Sequence, residues 1–227
     1  MTRVAVIAAM ADELGPLVRG WKGESRGGVG LWRRSHGGGE WIAAFAGIGA
    51  AAAGRALAEA ERDGPVDAII STGWAGALRE EYETGRAYGV SGVVCARTGE
   101  RFAAATPDGA CLLVTSDNVA GPGEKRRLSE AFGAGLVDME AAGLARLAAV
   151  RGIPFHCVKG VSDGPNDRMP DLNAFIGPDG QFRTAGFILF AILRPWHWPA
   201  LVRLRGNGRS SAEAMRESVL GILERYP

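Results

Sequence analysis

The chain has 227 residues, enough for one domain with a sizeable core or at most two small ones. Lys plus Arg total 26 against 25 Asp plus Glu, a formal net charge of +1, which implies no bulk attraction to nucleic acid or to a membrane. With 47% hydrophobic and 22% charged residues the composition is globular, its outlier being 34 glycines, about twice the usual share. Cys95, Cys111 and Cys157 show no CxxC spacing and leave one over in any disulfide scheme, which reads as reduced thiols in a cytoplasmic protein. The first apolar run meets Asp12 and Glu13, unlike a signal peptide. No run approaches the roughly 20 apolar residues needed to cross a bilayer.

Val4 to Ala9 is mostly β-branched and apolar, as in a strand covered on both faces. A hairpin over Val29 to Arg34 and Trp41 to Ala46 precedes an Ala-rich helix from Ala51 to Arg62, and VDAIIST is another buried strand. Strands then follow at Gly92 to Ala96, Cys111 to Thr115, Leu136 to Val137 and Phe155 to Gly160. Helices are expected near Gly123 to Phe132 and from Met139 to Arg151. This alternation places the chain in the α/β class, as one domain over residues 1–227. Glycine-rich points at AGIGA (Ala46 to Ala50) and STGWAG (Ser71 to Gly76) are expected just past strand ends, as packing turns or as loops sharing one ligand cleft. Neither is a GxGxxG or a Walker A motif.

Glu13, Glu140 and Asp163 each stand where a strand pattern stops. Singly, each could be a helix cap or a first-turn acid. Three carboxylates converging on one sheet edge would repel one another unless a ligand supplied donors, such as the hydroxyls of a sugar. Cleaving an N-glycosidic bond to a purine needs an acid for the leaving base and negative charge beside a cationic sugar, which carboxylates can supply without a metal or cofactor. His36, His156 and His197 have no metal-ligand spacing, and no GxSxG elbow occurs.

The blocks AVIAAMADEL, AGIGAAAAGRAL, AIISTGWAGAL, GLVDMEAAGLARLA and PFHCVKGVSDGPND, in this order, resemble the nucleoside phosphorylase and methylthioadenosine/S-adenosylhomocysteine nucleosidase superfamily. The resemblance implies a three-layer α/β/α fold with a central mixed, mostly parallel sheet. It also implies roles: Asp163 as the general acid for the purine N7, positioned by Ser162, and Glu140 holding the ribose hydroxyls, with Met139 against the sugar face. Glu13 would orient the attacking water, with Met10 lining that side. Ala75 and Gly76 would form the purine pocket with the segment around Val119, where nucleosidases usually carry an aromatic residue. Lys159 stands where they carry an arginine, and could pair with Glu13 or attract an anion.

The arginines and serine with which phosphorylases gather phosphate are missing, two of those positions reading Ser71 and Trp74. Hydrolysis is therefore expected over phosphorolysis, with phosphate retained as an alternative co-substrate. Dimers are usual in the family, but the middle of this chain, between Cys95 and Cys111, is short, which leaves homo-oligomer symmetry open. The stretch from Asp167 to about Gly208 is long instead, with an apolar aromatic insertion at about residues 181–205. Pro195 and Pro199 predict a helix, a bent aromatic segment and a basic exit at Arg203 and Arg205, ahead of a capped helix from Ser211 to Tyr226 with Ala214, Val219, Leu220 and Leu223 inward.

Phe187, Phe190, Trp196 and Trp198 in that insertion suit a lipid or membrane contact, the alternative being a helix packed on the sheet. With RPWHWP (Arg194 to Pro199), the insertion resembles the hopanoid-associated branch of the superfamily. The substrate expected from that branch is adenosylhopane, cleaved to adenine and a ribosyl-hopane at the inner surface of the membrane. A methylthioadenosine/S-adenosylhomocysteine nucleosidase, a purine nucleoside phosphorylase and a nucleoside-binding module without turnover are the competing expectations.

Overall fold

A computed structural model describes residues 1–226 except 169, 194, 195 and 197. At its centre lies β1 (Arg3–Ala8), buried along its whole length. Ala5 and Ile7 enter one core and Val4, Val6 and Ala8 another, as the two-residue period of a strand covered on both faces demands. Parallel partners flank it: β4 (Gly39–Phe45) on one side and β5 (Ala68–Ala77) on the other. Antiparallel β3 (Val29–His36) and β2 (Lys22–Arg26) extend the β4 edge. The polar sequence KGESR carries no alternation of apolar residues, so β2 was not expected; it is an edge strand with a charged face to water.

On its other side β5 pairs in parallel with β10 (Phe155–Asp163) and, near its end, antiparallel with β9 (Leu136–Asp138). β10 continues to β6 (Ala87–Cys95), β6 to β8 (Cys111–Thr115) and β8 to β9, so these five strands close on themselves. A short strand, β7 (Arg101–Ala103), pairs with β6.

Helices complete three layers. α2 (Ala50–Ala60) and α4 (Ala141–Arg151) cover one face with small side chains such as Ala53, Ala56 and Ala145. The opposite face is covered by α1 (Ala11–Leu14) and α6 (Trp198–Leu223) through Leu14, Met215 and Val219. α3 (Pro122–Phe132) packs Leu128 against Val94 and Val114. After β10 come a single 3-10 turn (Asn173–Phe175) and α5 (Thr184–Leu193).

Two expectations are corrected. STGWAG is not a loop beyond a strand: β5 runs through it to Ala77 and bends at Gly73, whose φ is +128°. Nor does the last helix begin at Ser211: the helix expected ahead of Pro195 is α5, ending at Leu193, but α6 is then continuous from Trp198, with Pro199 in its first turn where its missing N–H costs nothing. It passes through Gly206 and Gly208 because tertiary contact outweighs propensity. A Cβ at Gly208 would lie 3.1 Å from the Trp74 ring, and Trp74 Nε1 donates to Gly208 O at 3.0 Å. Its inward face is Ala212, Met215, Val219, Ile222 and Leu223, with Ala214 and Leu220 only half-buried. Arg194, Pro195 and His197 of RPWHWP lie outside the described residues.

Candidate active site

Glu13 sits in α1, one turn beyond the end of β1, and points back across it. Its Oε2 accepts the N–H groups of Ala9 (2.9 Å) and Met10 (2.7 Å), and its Oε1 accepts that of Trp74 (2.7 Å). The bend at Gly73 aims the Trp74 amide at this carboxylate and leaves it room. Burial raises the Glu13 pKa above the ordinary carboxylate range, while the Trp74 and Met10 amides, Lys159 and the Ala9 amide pull it back. The net rise brings it toward the range in which a general base works near neutrality.

Glu140 follows β9 and precedes α4. Its Oε1 accepts Gly49 N–H at 2.8 Å, at the start of α2, which is the work done by the AGIGA loop. That loop is held from behind: Ile48 N–H donates to Gly180 O at 2.8 Å, and a Cβ at Gly47 would lie 2.6 Å from the same oxygen. Burial, then the charge of Asp138, push the Glu140 carboxyl up to about 7, against the pull of Lys159 and the Gly49 amide.

Asp163 ends β10. Ser162 donates to its Oδ1 at 2.6 Å, and the Lys125 ammonium donates to its Oδ2 and to Gly164 O (2.6 Å). Lys125 was missed in the sequence, where one lysine in the polar helix PGEKRRL reads as a solvated face. The available signal was its place three residues before buried Leu128, on the same helical stripe.

Lys159, expected on the substrate side, is corrected. It is fully buried, does not line the cavity, and pairs with Asp138 at 2.9 Å rather than with Glu13. Burial alone would lower its ammonium, but Asp138, with Cys157 and Glu140, holds it above its usual value. Asp138 is further fixed by Thr115 Oγ1 (2.6 Å) and Ala141 N–H (2.9 Å).

Glu13, Glu140 and Asp163 open onto one cavity of about 480 Å³, which Met10, Trp74, Ala75, Gly76, Val119, Met139 and Ser162 also line. Both main-chain groups of Val119 are engaged by Asn173, whose Oδ1 accepts its N–H (2.7 Å) and whose Nδ2 donates to its C=O (3.1 Å). Leu172, Ile176, Phe182, Phe187, Leu201 and Leu204 give the cavity an apolar wall. Phe190 is not on the cavity lining, meeting Phe175 edge-on and stacking on Phe187; Trp196 and Trp198 lie outside it, 69% and 52% exposed. Among the described residues the cations on the lining are Lys125 and Arg205. Among the described residues no group of three or more His, Cys, Asp or Glu is placed to hold a metal ion, and no helix is long and apolar enough to cross a membrane.

The model of the phosphorylase superfamily matches residues 3–94 and 94–185. No curated protein matches the sequence. Among solved structures, 5′-methylthioadenosine nucleosidase of Arabidopsis thaliana superposes with a TM-score of 0.76 at 17% identity, covering 99% of this chain and 95% of its own. S-adenosylhomocysteine nucleosidase of Streptococcus pyogenes gives 0.75 at 19% identity, with 100% and 98% covered. Futalosine hydrolase of Helicobacter pylori gives 0.74 at 14%, with 99% and 98% covered. At these identities the likeness is one of fold.

Proposed function

Because the chain belongs to the phosphorylase superfamily, we propose that it cleaves the N-glycosidic bond of a 5′-substituted adenosine by hydrolysis, releasing adenine. The observation that carries the reading is the cavity in which three carboxylates from separate strand ends face an apolar wall drawn from residues 172–204. The reactions named for the Arabidopsis and Streptococcus neighbours support the same class of chemistry.

Glu13, fixed by three N–H donors, takes a proton from the water that attacks C1′. As the C1′–N9 bond stretches, the ribosyl group becomes cationic, and the carboxylates of Glu13 and Glu140 offset that charge. Glu140 accepts from the ribose hydroxyls and Met139 packs against the sugar face. The purine lies between Ala75, Gly76 and Val119 and departs at the end of the cavity held by Asp163 and Ser162. Hydrolysis is preferred to phosphorolysis because, among the described residues, the lining carries a single arginine, Arg205, rather than a cluster that would gather phosphate, and its lysine, Lys125, is already engaged by Asp163.

The 5′ substituent is large and apolar, as in adenosylhopane, whose cleavage would leave a ribosyl-hopane for hopanoid lipid biosynthesis. Phe182, Phe187, Leu201 and Leu204 support this by giving an alkyl group a wall to lie on. The exposed Trp196 and Trp198 of the same segment support a peripheral contact with the membrane that holds such a lipid. Chromatographic assay of adenine released from adenosylhopane in detergent and from methylthioadenosine tests the reading. Faster turnover of the lipid nucleoside is expected; turnover of methylthioadenosine alone would make the protein a nucleosidase of small thio-nucleosides.

A further inference from the structure

Lys125 is 1% exposed, yet its side chain lines the cavity. Burying an ammonium is costly, and one carboxylate and one carbonyl offset only part of that cost, whereas an apolar residue of similar length would fill the same space. The neighbouring strand makes room for it. A Cβ on Gly76, which faces Asp163 across the β5–β10 ladder, would lie 3.0 Å from Lys125 Cε and 3.2 Å from Asp163 Oδ2. Asp163 accepts at both oxygens, from Ser162 and from Lys125. At this end of the cavity, then, the carboxylate stands as acceptor and the ammonium beside it as donor.

That pair complements one edge of adenine, where N7 accepts and the adjacent 6-amino group donates. Resting on the cleavage reading above, we propose that Lys125 gives N7 its proton as the C1′–N9 bond breaks, while Asp163 holds the ammonium and accepts from the 6-amino group. The electron pair of the C1′–N9 bond leaves with the base, and N7 takes one proton from Nζ. The water oxygen bonds to C1′ and passes its proton to Glu13. After adenine departs, Glu13 releases its proton to solvent and the neutral amine takes one up, which restores both groups for the next turnover. The proton is needed as negative charge builds on the departing base, and the ammonium is the N–H donor that the geometry sets beside N7 at that moment.

The test uses full-length protein, Lys125→Met and Lys125→Arg, with two substrates: the adenine nucleoside that the wild type turns over faster, and p-nitrophenyl riboside, whose leaving group needs no proton. Arginine keeps the charge and the pairing but does not give up its proton. Both variants are expected to lose adenine release by roughly 10²-fold or more while releasing p-nitrophenolate within about threefold of wild type. Adenine release restored by Lys125→Arg would overturn the proposal and leave Asp163 as the acid with Lys125 only charging the site. So would equal losses on both substrates, which mark a positioning or structural role. If the wild type releases neither adenine nor p-nitrophenolate, the cleavage reading itself fails, and the proposal with it.

Discussion

Gly73 is packed against Glu13: a Cβ at Gly73 would lie 2.8 Å from Glu13 Oε1. Its φ of +128° is also strained for any residue with a side chain. Gly73→Ala is therefore expected to push the carboxylate off its three N–H donors, cutting adenine release by about 10²-fold and stability by roughly 1–3 kcal/mol. Steady-state kinetics and denaturant unfolding check both, and wild-type turnover in this variant would contradict the role given to Glu13.

Glu13→Gln keeps the shape of the side chain and removes the base. Nucleoside binding should survive, while turnover falls by roughly 10² to 10⁴-fold. Calorimetric titration with methylthioadenosine or its lipid-linked counterpart reads the first, and a variant that no longer binds would count against a role confined to the water.

Glu140 and Glu13 both have raised pKa values, and the better-defined pH dependence belongs to Glu140. Its carboxyl is pushed up to about 7, so the folded protein binds a proton between about pH 4.5 and 7 that the unfolded chain does not. Stability of the free protein should fall as pH rises through that window, by on the order of 3 kcal/mol from this group alone, and Glu140→Gln should flatten the slope. Turnover runs the other way: the ionised form is the one that accepts from ribose, so kcat/KM should rise with pH up to about 7. A profile level between pH 5.5 and 7.5 would refute the assignment.

Lys159 and Asp138 form a buried pair at 2.9 Å, in which Asp138 reaches the cavity lining and Lys159 stands behind it. Removing one partner strands the other, so Lys159→Met should cost about 3–5 kcal/mol, and the double variant with Asp138→Asn should recover part of it. Urea unfolding of the four proteins completes the cycle. Unchanged stability in Lys159→Met would show that the pair contributes nothing to holding β10 and β9 in place.

Trp196 and Trp198 are exposed beside a segment that lines the cavity. Replacing both by Ala should reduce sedimentation with anionic phospholipid vesicles several-fold and leave methylthioadenosine turnover unchanged. Equal sedimentation of variant and wild type would confine the aromatic segment to the fold and the cavity.

Much of this architecture can be read directly in the residues. The apolar runs of β1, β8 and β10 and the Ala-rich α2 and α4 carry the periodicities that define them, and the three acids stand at the strand ends that deliver them to one cavity. What could not be read depends on contacts distant in sequence. β2 is held by its backbone ladder and by the Glu24–Arg33 ion pair rather than by apolar burial, and α6 runs through two glycines because Gly208 meets Trp74. Lys125 looks like surface until Asp163, 38 residues away, is found beside it. Lys159 pairs with Asp138 rather than with Glu13, and nothing in VKGVS tells which acid its ammonium meets.

The central claim is cleavage of a nucleoside by water at this cavity. The direct measurement is adenine release in phosphate-free buffer made with ¹⁸O-water, followed by mass spectrometry of the sugar product. Release of adenine with one ¹⁸O atom at the anomeric position is the predicted result. No release without phosphate, or a sugar 1-phosphate when phosphate is added, would contradict the hydrolytic account.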